Sequence, residues 1–267
     1  MSLGGGVTSD LAGFVAATFM RGVPVAHVPT SLLAMVDASV GGKTGVDIPA
    51  GKNLVGAFHH PCSVIVDPLV LESLPRPELL AGFAEVLKHG VVADAQFFNR
   101  VAGAIPQLVE PGGAAGQAML ETVRRGIAIK CDIVRRDERE EGIRAVLNFG
   151  HTLGHAIELV SHFRVSHGEA VSMGMVLEAR LAERLGVAVA GTRDRIANAL
   201  ATAGLPTALP ADLGSGALIA ATRTDKKARA GSVRYALPTR IGAMAGEDSG
   251  WTIPVDDAAV HEVLAGR

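Results

Sequence analysis

Short β-branched runs bounded by proline occupy the first quarter of this chain and then stop, and this change of texture constrains the fold more than any other feature. CSVIVDP, residues 62–68, lies between Pro61 and Pro68, and VPVAHVP at 23–29 is a second buried-strand candidate. Ahead of both, Asp10 to Met20 reads as a helix of small and apolar residues ended by Arg21-Gly22-Val23-Pro24. Between the strands, residues 31–58 read as a helix followed by a long glycine-punctuated segment. Short apolar strands alternating with helices give α/β organisation.

From about Pro75 the pattern is helical. PRPELLAGFAEVLKHGVV opens with prolines suited to a first helical turn, and AGQAMLETVRRGIAIKCDIVRRD is a long amphipathic helix. LGHAIELV and GEAVSMGMVLEARLAERLG are two more, the second closed by Gly186, and TRDRIANALATAGLP starts at Thr192 and stops before Pro206. GSVRYALPTRIG alternates weakly, like a strand pair, and RRDEREE at 135–141 reads as a solvated helix end. A boundary near residue 74 therefore divides an α/β portion, 1–74, from a mainly α-helical domain, 75–267.

With 267 residues the chain buries a core without help from disulfides. Its 25 basic and 27 acidic side chains leave no electrostatic footprint for nucleic acid or an anionic membrane, so charged sites must be argued locally. Cys62 and Cys131 lack C-x-x-C spacing and read as small buried hydrophobes in a reducing compartment. No signal peptide or transmembrane run is seen, and a cytoplasmic protein is expected. The three glycines in MSLGGGVTSD stand before any strand able to hold them, which suggests that the start of a larger domain is absent.

On a helix, residues three and four apart share a face, so Glu85, Lys88 and His89 project together, as do His151, His155 and Glu158 of LNFGHTLGHAIE. His167 opens the next helix. A lone histidine is ordinarily a hydrogen-bonded core residue, but five of the nine lie at 89 or between 151 and 167, which favours a site. Imidazole and carboxylate suit a catalytic zinc with three protein ligands. Spacing alone selects His151 and His155 as a pair, with Glu85 or His167 third. Nearby, GGKTGVDIPAGKN combines exposed backbone amides with Lys43, Lys52 and Asn53, as an anion site or a plain glycine-rich surface loop would. Its spacing is not that of a P-loop. Lys130, Arg144 and the pair Lys226-Lys227 each read as solvated cations, and together they suit a multiply charged ligand.

Assembled, the chain resembles the 3-dehydroquinate synthase family. The matching stretches run in order: LGGGVTSDLAGFVAATFMRG, VPTSLLAMVDASVGGKTGVD, GKNLVGAF, AEVLKHG, LNFGHTLGHAIE, HGEAVSMGM and DKKARAGSVRYALPTRIG. The resemblance implies a Rossmann-like α/β domain that binds NAD, here incomplete at its N-terminal side, and a helical domain carrying zinc and substrate. It implies zinc, with Co2+ able to replace it, on Glu85, His151 and His167, which moves His155 from metal to substrate. Lys88, Asp37, Lys43, Asn53, Lys130, Arg144, Asn148 and Lys226 would reach the substrate. Arg21 would extend into the neighbouring subunit's site, implying a homodimer. Gly5, Gly6, Asp10, Thr30, Ser31, Lys43, Lys52 and Ser73 would lie at the dinucleotide. Three departures from the family pattern stand out: Ser9 at a turn position usually glycine, Ser31 for threonine, and AFHHP for AFxQP.

The implied activity converts 3-deoxy-D-arabino-heptulosonate 7-phosphate to 3-dehydroquinate through transient oxidation, phosphate elimination, re-reduction and aldol closure. Three alternatives stand beside it: another sugar-phosphate cyclase, a redox enzyme of the iron-dependent alcohol dehydrogenase type, and a catalytically incompetent truncated homologue. The cation set and the DKK segment argue against the redox enzyme.

Overall fold

The structure, a computed structural model, describes residues 1–48, 51–110, 112–223 and 233–266, with the side chains of 51–53 outside the description. The chain forms two compact units. One comprises Met1–Val86 and Pro106–Arg139, the other Leu87–Ile105 and Glu140–Arg267.

In the first unit β1 (Ser2–Gly4) leads into α1 (Gly6–Thr18), which returns the chain to β2 (Ala26–Pro29) alongside β1. These two strands are parallel in the register Ser2↔His27 to Gly4↔Pro29, the pairing a helical crossover permits. The helix begins four residues before Asp10, so Ser9 lies buried inside it rather than in a turn, its hydroxyl donating to the Gly5 carbonyl oxygen at 3.3 Å.

Residues 41–58 are not the open glycine segment expected. β3 (Lys43–Ile48) and β4 (Gly51–Phe58) pair antiparallel from Lys43↔Phe58 to Ile48↔Gly51. Thr44, Val46 and Ile48 supply the β-branched period of two, which the intervening glycines obscured. This hairpin packs under α1, where a Cβ on Gly13 would come within 2.4 Å of Thr44 Cγ2. The helix expected before it survives as a short π-helical turn, Ala34–Ala38. β5 (Ser63–Val64) adds a third parallel strand beside β2, shorter than the apolar run around it. Cys62 and Cys131 are both exposed, not packed as hydrophobes.

Three long helices follow: α2 (Arg76–Ala93), α3 (Ala95–Leu108) and α4 (Gln117–Arg136). The division between the units falls inside α2, between Val86 and Leu87, and inside α3, between Ile105 and Pro106. An 18-residue helix is about 27 Å long, so its two ends can serve different cores. Gly82 of α2 lies against Leu32 in the first unit, where a Cβ would meet the Leu32 Cβ at 2.5 Å.

The second unit is built on α5 (His151–Val160), α6 (His167–Arg184), α7 (Thr192–Thr202) and α8 (Ser215–Thr222). Gly186, with φ +69°, follows α6 in the left-handed conformation expected of a C-terminal glycine. Leu153, Ile157, Met173, Leu177, Leu181 and Leu218 share one apolar core with Tyr235 and Val260. The stretch 233–240 does not form a strand pair with itself. β6 (Val233–Tyr235), β7 (Pro238–Arg240) and β8 (Ala243–Met244) precede β9 (Ile253–Val255) and α9 (Asp257–Ala265). β6 pairs with β9 and β7 with β8, both antiparallel, because partners further along the chain satisfy each strand. Among the described residues no helix is long and apolar enough to cross a membrane.

Candidate functional site

β1 ends at Gly4, and Gly5 caps α1 with no side chain of its own. The first-turn N–H groups of a helix have no internal acceptor, so this turn presents donors and the positive end of the helix dipole. The Thr30 N–H donates to the Gly4 carbonyl oxygen at 2.9 Å, and a Cβ on Gly5 would stand 3.5 Å from Ser31 Oγ. Gly5, Gly6, Thr30 and Ser31 therefore gather at the carboxyl ends of β1 and β2, where an open parallel sheet receives a phosphate-bearing ligand. Ser31 keeps the hydroxyl role of a threonine, its Oγ accepting from the Ala34 N–H at 3.3 Å.

Behind this turn lies a partly buried ionic cluster. Lys130 Nζ of α4 lies 2.6 Å from Asp37 Oδ1 and donates to the Asp37 carbonyl oxygen, also at 2.6 Å. Burial lifts the Asp10 carboxyl from 3.8 to about 6, opposed by the Lys130 ammonium and reinforced by the carboxylates of Asp37 and Asp47. Glu85 is fully buried, and one of its carboxylate oxygens lies within 4.8 Å of one from Asp37.

In the second unit three imidazoles converge. The ring centroids of His151 and His155 are 5.4 Å apart, those of His151 and His167 also 5.4 Å, and those of His155 and His167 6.4 Å. Ligand nitrogens of His151 and His167 come within 4.8 Å of each other. His151 Nδ1 is held 3.2 Å from the Phe149 carbonyl oxygen, and His167 Nδ1 lies 3.4 Å from Glu158 Oε1. Two partly enclosed imidazoles with fixed second nitrogens are a donor set suited to zinc. Lys88 and Arg144 are buried cations of the same unit, and Asn148 Nδ2 donates to Glu140 Oε1 at 2.5 Å.

Three further expected site residues, Arg21, Lys43 and Ser73, are exposed. Arg21 is exposed on a 3₁₀ turn with φ +66°, Lys43 is exposed at the start of β3, and Ser73 turns its hydroxyl back to the Val70 carbonyl oxygen at 3.0 Å. Lys52 and Asn53 lie on β4 with their side chains outside the description, and Lys226 falls outside the described residues.

Sequence reasoning missed Glu178. Fully buried on α6, it accepts from the Gly150 N–H at 2.6 Å and the Leu153 N–H at 3.0 Å, capping α5 from a neighbouring helix. Gly150, at φ +80°, offers no side-chain cap of its own. A charged residue in the apolar run SMGMVLEAR was the available signal. His151 and His155 thus sit on a helix whose first turn is pinned to α6.

The first 81 residues match the family model for the 3-dehydroquinate synthase N-terminal region, and residues 82–228 match that for the C-terminal region. A 3-dehydroquinate synthase of Synechococcus sp. is 49% identical over 243 residues, 91% of this chain and 66% of that protein. The chain thus spans about two thirds of that relative's length. Among solved structures, 2-epi-5-epi-valiolone synthase from Streptomyces hygroscopicus, with NAD+ and Zn2+ bound, is 28% identical with a TM-score of 0.88, covering 99% of this chain and 72% of that one. A 2-deoxy-scyllo-inosose synthase complexed with carbaglucose-6-phosphate, NAD+ and Co2+ is 27% identical with a TM-score of 0.87 and the same coverage. Their architecture is the α/β region followed by a mostly helical region seen here, and the chain belongs to the 3-dehydroquinate synthase family of sugar-phosphate cyclases.

Proposed function

We propose that this protein converts 3-deoxy-D-arabino-heptulosonate 7-phosphate to 3-dehydroquinate and phosphate, with NAD and a zinc ion held by Glu85, His151 and His167. The observation that carries the reading is the meeting of His151 and His155 of α5 with His167 at the start of α6. The 49% identity to a 3-dehydroquinate synthase, against 28% to the valiolone synthase, favours this substrate within the superfamily.

When bound, NAD supplies a temporary hydride acceptor and zinc a Lewis acid that stabilises an alkoxide. The chain's own groups do the rest. The bare amides at Gly5 and Gly6 receive the dinucleotide phosphates, with Asp10, Thr30, Ser31, Lys43, Lys52 and Ser73 around them. Lys88 and Arg144, both buried, join Lys130, Asn148, Asn53 and Lys226 in holding the phosphate and carboxylate of the substrate. Asp37 orients Lys130. His155, less buried than His151, exchanges protons at the substrate. Arg21 supplies a phosphate contact in the partner of a homodimer.

The test is a product assay on the purified protein with zinc, NAD and the heptulosonate phosphate. Release of phosphate together with 3-dehydroquinate, without net NADH, is expected. NADH accumulating in step with substrate would make the protein a simple dehydrogenase. Turnover only of another ketose phosphate would place it with the sister cyclases.

A further inference from the structure

The turn joining α5 to α6 carries two successive non-glycine residues in the left-handed region, His162 at φ +53° and Phe163 at φ +59°. Such backbone is costly and persists only where its surroundings fix it. Here the Phe163 N–H donates to the Glu158 carbonyl oxygen at 2.8 Å, the fully buried Ser161 donates its hydroxyl to the same oxygen at 3.0 Å, and Arg164 Nε donates to the Ser161 carbonyl oxygen at 3.2 Å. Beyond the turn, the Ser166 N–H donates to Glu169 Oε2 at 2.9 Å, fixing where α6 starts. The result is that His167, the first residue of α6, faces the last turn of α5.

What His167 meets there is the Glu158 carboxylate. His167 Nδ1 and Glu158 Oε1 are 3.4 Å apart, and the carboxylate side chain is only 4% exposed against 36% for the imidazole. Glu158 stands seven residues beyond His151, two turns along the same helix face. The separation of His167 Nδ1 from Glu158 Oε1 lies just beyond the usual N–H···O range of about 2.7–3.2 Å.

We propose that Glu158 is the positioning residue of the metal centre. It accepts the Nδ1–H of neutral His167, which selects the tautomer whose Nε2 lone pair is free, fixes the plane of the ring and raises its basicity as a ligand. The inference rests on the reading that His167 is a zinc ligand. Glu158 itself does not touch the metal or the substrate.

The experiment compares the wild-type chain with Glu158→Gln, Glu158→Ala and His167→Gln. Zinc affinity is measured by competition with a chromophoric chelator, the visible spectrum is taken with Co2+ in place of zinc, and thermal unfolding is followed without metal. Gln keeps an oxygen acceptor but no charge, whereas Ala keeps neither. Zinc binding should therefore weaken by about 10–100-fold in Glu158→Ala and by less in Glu158→Gln, with an altered Co2+ spectrum and little change in metal-free unfolding. Wild-type affinity and spectrum in both Glu158 variants, with binding lost in His167→Gln, would overturn the positioning role and leave the metal reading standing. Wild-type affinity in His167→Gln would overturn both. A loss of affinity matched by collapse of the metal-free fold would make Glu158 a packing residue and overturn the proposal.

Discussion

Asp10 is a carboxyl whose folded environment resists ionisation. Its folded value of about 6 lies above the ordinary 3.8, so between those values the folded chain holds more protons than the unfolded one. The stability this lends is fully present below about pH 3.8 and is lost as pH rises through 6. An Asp10→Asn variant has no such proton to lose. Its melting temperature should gain on the wild type between about pH 4 and about pH 7, the range in which the wild-type carboxyl gives up its proton, and a difference that stays flat across that range would refute the placement. Glu85 makes a second residue-scale case. Glu85→Gln keeps size and shape but removes the anion, so zinc content measured by elemental analysis should fall well below one per chain. Zinc at about 100 times its Kd stabilises a folded protein by about 2.7 kcal/mol, and this gain should shrink in the variant's unfolding curves. Unchanged zinc content would remove Glu85 from the ligand set. Glu85 was legible as a candidate because a carboxylate, a lysine and a histidine recur at helical spacing. Glu178 was passed over because a single glutamate in an apolar helix does not declare what it caps.

At the scale of elements, α5 and α6 approach closely enough to exclude a side chain. A Cβ on Gly174 would fall 2.0 Å from the Gly150 carbonyl oxygen, a backbone atom that can move only with its helix. Gly103, exposed in α3, has nothing within 4 Å. Alanine in a helix gains about 1 kcal/mol over glycine where there is room, while overpacking costs about 1–3 kcal/mol. Gly103→Ala should therefore raise the urea midpoint and Gly174→Ala should lower it. Equal shifts in the same direction would show that the two helices are not in tight contact. Most helices here were readable from apolar period and terminal residues, as the start of α7 at Thr192 and the left-handed Gly186 after α6 illustrate. The hairpin of β3 and β4 was not, because Gly45 and Gly56, which face each other across it, break the run of β-branched residues that announces a strand. The partners of β6 and β7 were hidden for another reason. Each pairs with a strand the local pattern does not specify, and pairing is decided by which backbone edges the core brings together.

Across the whole molecule, two compact units are each assembled from two stretches of chain, and the continuous helices α2 and α3 contribute to both. The sequence by itself determined the order of α/β and helical regions and the family, and it pointed to the residue types of a candidate metal and anion site, because periodicity and ligand chemistry are local properties of a chain. It did not determine that Glu178 pins α5 to α6, that Glu158 faces His167, or that Lys130 is neutralised by Asp37. Those depend on groups 9 to 93 residues apart, counted along the chain, being held within hydrogen-bond or ion-pair distance. Only the packing of helices around a common apolar core sets which distant polar groups must satisfy one another, since each buried charge has to find its partner among whatever the fold places beside it.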